Sequence, residues 1–309
     1  MDGQGAVKQA VERKITWLRE TSWWQMLGHA WMVFLFGRLA IIVLPAFLKP
    51  FLDQPLFVLP LLLIVAKDLA GIPDFRQRMR RVARKGTGWR ERIGAVFPPE
   101  FLALYRLDRA MRQAFLAWVR RQPHAPRPAG TVLTYTERGS YSTVLAIAVF
   151  SACIELPIDA AIASLFIDNP TVRGILHVCS LLSAASILMY VTADRSLVRG
   201  ARGHVITGDA LDLSIGARAS GLIPLAAIDR IDTVREKPQQ WCKRQGVAKR
   251  ETVTVSPFDA PNVVLRLRPG QPVTITTCQM ERAAPGYVFL YLDRPELLRA
   301  ALQRATPSV

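Results

Sequence analysis

Long apolar runs broken by a few polar residues set the pattern of this chain, and the most regular pair lies between Ser142 and Ala193. The runs Thr143 to Ile167 and Gly174 to Ala193 are each about the 20 residues that cross a hydrocarbon core, and Asp168-Asn169-Pro170-Thr171 joins them. They predict two transmembrane helices in a tight hairpin. A less regular pair precedes them, at about Trp31 to Leu48 and about Pro55 to Ala70. Pro45, Pro50, Pro55 and Pro60 punctuate this pair, and its second run is short before Lys67-Asp68, so a re-entrant hairpin is the alternative to two full spans. Upstream, Val7, Val11, Ile15 and Leu18 recur at helical spacing with Lys8, Glu12, Arg13 and Arg19 on other faces, the pattern of an amphipathic interfacial helix. Trp17, Trp23, Trp24 and Trp31 suit the headgroup region that such a helix would occupy.

Beyond Ser196 the runs become short, β-rich and separated by turns. Segments 203–207, 210–215, 227–234, 252–256, 262–268, 272–277 and 287–292 predict strands, with hairpin turns at Gly208-Asp209 and Pro269-Gly270-Gln271. Leu297, Leu298, Ala301 and Leu302 give the segment 294–304 the apolar side of a closing helix. The expected fold is α+β: a helical transmembrane bundle of about four spans, followed by a β-barrel or sandwich capped by one helix. The expected divisions are an interfacial helix (1–30), a first hairpin (31–70), a basic connection (71–142), a second hairpin (143–193) and a β domain (194–309). Within the connection, Phe101, Leu104, Tyr105, Met111, Phe115, Trp118 and Val119 share roughly one helical face. That stripe fits equally an in-plane helix and one packed on the C-terminal domain.

Charge fixes an orientation. The chain carries 40 Lys+Arg against 24 Asp+Glu, a net +16, yet half of its residues are hydrophobic, so the bases read as membrane flanks and nucleic acid is excluded as a partner. Residues 71–142 hold 15 bases and 5 acids, whereas the turn 168–173 holds a single base, Arg173. The positive-inside rule then predicts a multi-pass inner (plasma) membrane protein with both termini cytoplasmic. The cluster Arg76, Arg78, Arg80, Arg81, Arg84, Lys85, Arg90 and Arg92 is the expected contact for anionic membrane lipid. The loop 237–250, with Trp241 among five bases, reads as a solvated hairpin, with a membrane surface or acidic partner as the sharper option. Cys153, Cys179, Cys242 and Cys278 have no short paired spacing and predict free thiols.

The run from Arg202 to Gly216, followed by Gly221 to Ile231 with its Ile223-Pro224-Leu225 step, resembles the bacterial pleckstrin-homology-like domains attached to membrane helices. The resemblance covers roughly the last third of the chain and implies a barrel closed by a helix. It implies no activity, and no phosphoinositide-binding basic motif matches residue by residue.

The most specific chemistry is inside the membrane. Glu155 and Asp159 are four apart on one predicted helix around Pro157, and acids at that depth have a partner or a job. One reading pairs Arg38, central in the first span, with one of these acids. The other makes the acids a cation or proton site completed by His177, which lies at a similar distance from the connecting turn as Asp159. Cys153 and Glu155, like His177 and Cys179, are two apart and share no helical face, so no metal and no cofactor are expected. Nucleotide-loop, hydrolase-elbow and zinc-protease motifs are missing from the sequence, which argues against an enzyme. The expected role is a membrane-anchored interaction or regulatory module. Its partner classes are anionic lipid, a protein at the cytoplasmic domain and a second copy of the chain. A small transporter or channel using Glu155 and Asp159 is the alternative.

Overall fold

The computed structural model describes residues 3–43, 45, 49–84, 88–124, 126, 128–201 and 203–305. The chain divides into two compact units, Met1–Leu102 and Ala103–Val309.

The first unit is helical: α1 (Gly3–Glu20), α2 (Trp23–Val43), α3 (Lys49–Arg84) and α4 (Trp89–Val96). Ser22 and Gln25 separate α1 from α2 by a reciprocal cap. The Gln25 N–H donates to Ser22 Oγ at 3.2 Å and the Ser22 N–H to Gln25 Oε1 at 3.3 Å, which satisfies donors that a helix start leaves unpaired. Helices α2 and α3 pack together where Gly37 meets Leu56; a Cβ there would lie 2.9 Å from Leu56 Cδ2. Lys67, on α3, is buried, and its Nζ donates to the carbonyls of Leu18 (2.6 Å), Arg19 (3.1 Å) and Thr21 (2.6 Å). It thereby caps the C-terminal end of α1, where carbonyls lack helical partners. An Arg19–Asp74 ion pair at 2.6 Å adds a second tie between the same helices.

Helix α3 runs unbroken through Pro55, Pro60 and Pro73. The apolar run expected to end at Ala70 therefore continues into the basic cluster as one rod, in place of a re-entrant turn. Three helices among the described residues are long and apolar enough to cross a membrane: Gln54–Arg84, Tyr141–Phe166 and Pro170–Ala201. The remaining expected span, about Trp31 to Leu48, is only partly described. Helix α2 begins at Trp23, earlier than the expected span, and so takes in Gln25 and His29 as well as Arg38. Residues 44 and 46–48 of that expected span lie outside the described residues.

The second unit holds most of α5 (Pro99–Val119), then β1 (Thr131–Leu133), α6 (Tyr141–Phe166) and α7 (Pro170–Ala201). Nine further strands follow: β2 (His204–Ile206), β3 (Ala210–Ile215), β4 (Ala219–Pro224), β5 (Ile228–Thr233), β6 (Thr252–Val255), β7 (Val263–Leu267), β8 (Thr274–Thr277), β9 (Met280–Ala283) and β10 (Tyr287–Leu290). Helices α8 (Pro238–Gln245) and α9 (Pro295–Ala305) complete it. The strands form two sheets, β1-β2-β3-β4-β8-β9 and β5-β7-β10-β6, which do not close into the expected barrel. The β6–β10 pair is parallel; the others are antiparallel.

Alternating positions on both sheets supply the core, with Leu213, Ile223, Leu265, Ile275 and Leu290 fully buried, and Leu298 and Ala301 of α9 close it. Strand β1 belongs to this module although it precedes the hairpin in sequence, because Thr131–Leu133 pairs with His204–Ile206. The loop read as a solvated hairpin instead contains α8, whose Trp241 is buried edge-on against Tyr287 (5.2 Å) and Phe289 (5.3 Å). Burying one large ring outweighs the polar character of its neighbours. Of the two options for α5, packing is realised: Leu107, Met111, Ala114 and Phe115 lie against Ala193, Leu197 and Ala217.

Candidate functional site: a polar pocket in the α6–α7 hairpin and a buried junction at its end

Helices α6 and α7 form a half-open cavity of about 420 Å³ lined by Leu156, Asp159, Ala160, His177, Ser180 and Leu181, among others. Three polar side chains converge on it. Ser180 Oγ donates to Asp159 Oδ2 at 2.6 Å, across the two helices. His177 lies on the same face of α7, three residues earlier, and its Nε2 is buried without a hydrogen-bond partner among the described residues. The expectation that Asp159 meets His177 is thus refined: the hydrogen bond goes to Ser180, and His177 stands one turn nearer the connecting turn. Glu155, one turn away on α6, is exposed and is not among the residues that line the cavity.

Arg38 lies on α2 with its guanidinium 5.8 Å from the Phe34 ring centroid. In the basic cluster, Arg76, Arg80, Arg81 and Arg84 are exposed along α3 and Arg78 is half-buried. Lys85 lies outside the described residues, as do the side chains of Arg90 and Arg92. His124 docks on α7, its Nε2 2.9 Å from the Ser196 carbonyl, and His204 is fully buried, with Nδ1 accepting the Ser214 N–H at 3.0 Å.

A second constellation sits where the hairpin enters the sheets. Helix α7 continues past Tyr190 into protein, burying Ala193, Asp194, Ser196, Val198 and Ala201. Asp194 Oδ2 accepts from Tyr141 Oη, at the start of α6, and from Arg218 Nη2, on the β3–β4 turn, each at 2.9 Å. Arg218 also donates to the Pro257 carbonyl at 3.1 Å and lies 4.5 Å from the Phe258 ring centroid. Phe258 in turn stacks on Tyr141 at 6.0 Å. Gly216 gives this turn its left-handed conformation (φ +51°), and a Cβ there would come within 3.2 Å of Leu197.

Two further carboxylates hold the segment leading into α6. Asp293 accepts the N–H groups of Glu137 (2.9 Å) and Arg138 (3.0 Å), and Asp259 accepts that of Ser140 (2.8 Å). Burial, then the charges of Asp259 and Asp293, push the nearby Tyr291 hydroxyl above its ordinary pKa. Sequence reasoning missed every member of this junction. Its partners are 24 to 156 residues apart, and Asp194-Arg195 after an apolar run looks like an ordinary charged flank. The one available signal is Tyr141 at the head of α6, an amphipathic ring at a span's end.

The architecture is that of an α+β protein with apolar helices of spanning length and a two-sheet module built onto the longest of the second unit's helices. No family model, curated protein or solved structure matches the chain. The resemblance to pleckstrin-homology-like domains accordingly has no support from these comparisons, and the fold stands on its own geometry.

Proposed function

We propose that the chain is an integral membrane protein, with both termini cytoplasmic, that carries its two-sheet module at the inner face of the membrane as an interaction or regulatory device. The observation that carries this reading is the Tyr141–Asp194–Arg218 junction. Tyr141 begins α6 and Asp194 lies two turns before the end of α7, so in this reading side-chain contacts tie the module to the hairpin in place of a loose linker. A rod of 32 residues, about 48 Å long, runs from the connecting turn into the core of the module. Anionic lipid beneath the exposed bases of α3 is the proposed second contact. The exposed Leu222, on the outer face of β4, is the proposed region for a protein partner.

Two measurements test this. In cells expressing a cysteine-free background, a thiol reagent that cannot cross the membrane should label Asn169→Cys in intact cells and Gln271→Cys only after permeabilisation. A photo-crosslinking residue at Leu222 should then yield a discrete protein adduct in native membranes. The competing transporter reading instead requires a cation- or proton-dependent flux in proteoliposomes that Asp159→Asn abolishes, with no adduct.

A further inference from the structure

We propose that the α6–α7 cavity is a binding site for an amphiphile with a primary ammonium group, a role separate from the anchoring function above. The polar wall is acceptor-rich. Asp159 brings two carboxyl oxygens, and Ser180 spends its hydroxyl proton on Asp159 Oδ2, leaving its own lone pairs open. His177 adds a buried Nε2 that meets no partner among the described residues. A ligand that complements this set brings several N–H donors and a positive charge.

The rest of the wall selects what carries that charge. Leu156, Ile162, Leu176 and Leu181 are apolar, and the volume of about 420 Å³ falls in the range of small-molecule pockets that combine greasy walls with a few placed polar groups. A bare inorganic cation fits poorly, because hard divalent ions take about six or more oxygens. Here only Asp159 and Ser180 offer side-chain oxygens from the lining. Small residues at Ala160 and Ala163 leave the space open. Asp159 and His177 each lie seven residues from the end of their helix at the connecting turn. At 1.5 Å per residue that is about 10 Å below the helix ends, a depth at which an alkyl chain stays in hydrocarbon while its ammonium meets the carboxylate.

The test uses the full chain in phosphatidylcholine nanodiscs and radiolabelled dodecylammonium as the probe. Saturable binding of one probe per chain is expected. Asp159→Asn should weaken it by about tenfold or more, since a charge-assisted hydrogen bond is lost. Ala160→Phe fills the cavity while keeping the acid, and should remove saturable binding altogether. Unlabelled dodecyltrimethylammonium, which has the charge but no N–H, should compete about fivefold or more weakly than dodecylammonium. Dodecanol should not compete. If Asp159→Asn fails to fold, Ala160→Phe and the competitor series decide alone. Probe uptake that is non-saturable, or equal in wild type and Ala160→Phe, overturns the proposal; so does equal competition by the trimethyl analogue or the alcohol. Absence of the Leu222 adduct, by contrast, would overturn the interaction role proposed above and leave this site untouched.

Discussion

The two hairpins of this protein use buried charge in opposite ways. In α2–α3 the buried group is a cation, Lys67, and its three partners are backbone carbonyls at the end of α1. In α6–α7 it is an anion, Asp194, and its partners are two side chains from distant elements, Tyr141 and Arg218. A lysine on carbonyls finishes one helix locally. A carboxylate shared between a tyrosine and an arginine joins three elements, and it is useful only when all three are in place. The first hairpin thus carries its amphipathic helix as an appendage, whereas the second is built into a domain core.

The largest effect that would break this contrast is at Asp194. Asp194→Leu leaves the Arg218 guanidinium largely buried without its counter-charge, and the expected loss is about 3–5 kcal/mol in the unfolding of the second unit, followed by denaturant titration in detergent. Adding Arg218→Met should recover most of it, because removing both charges avoids the unpaired one. A double variant as unstable as the single would mean that Asp194 acts through something other than this pair.

Lys67→Met comes next, at about 2–3 kcal/mol, since it strips a charged donor from three carbonyls. The loss should appear as faster amide exchange confined to α1 and the adjoining turn of α3, leaving the sheets unchanged, as expected of an appendage. Tyr141→Phe removes one neutral donor while Arg218 still holds Asp194, and about 1 kcal/mol is expected in the same denaturant titration. Smallest is a single base of α3. Arg80→Gln should lower affinity for anionic vesicles by about 1 kcal/mol at low salt, with the difference shrinking at physiological strength, where the screening length is about 8 Å.

What the sequence made legible follows from where apolar side chains repeat. The strand at Thr252–Val255 alternates clearly, and Val263–Leu267 is nearly continuous because both its faces are covered, Val263, Leu265 and Leu267 in the main core and Val264 against Trp241 and Phe289. The strands it hid have little such signal. Met280–Ala283 is an edge strand with a largely exposed face, Ala219–Pro224 is built from small residues and a proline, and Thr131–Leu133 has three residues behind a Pro-rich stretch. Helix α8 is hidden because only the adjacent Trp241 and Cys242 anchor it amid polar residues, too few to show a helical repeat. The intramembrane acid is visible at Asp159, with Arg38 or His177 as its expected partner, whereas the hydrogen bond found goes to Ser180, since a serine in an apolar helix carries no charge to advertise it. The prolines of α3 raise a re-entrant hairpin as the alternative to a span, but the helix continues through all three of those it contains from Pro55 onward.

The central claim is that the α6–α7 rod and the two sheets move as one body through Asp194. Spin labels at Thr171, beside the connecting turn, and at Gln271, in the β7–β8 loop, test it by pulsed dipolar distance measurement on the full chain in nanodiscs. The account predicts one narrow distance distribution in the wild type and a broad one in Asp194→Leu, narrowed again in Asp194→Leu/Arg218→Met. A broad distribution in the wild type, or one that Asp194→Leu leaves unchanged, would contradict it.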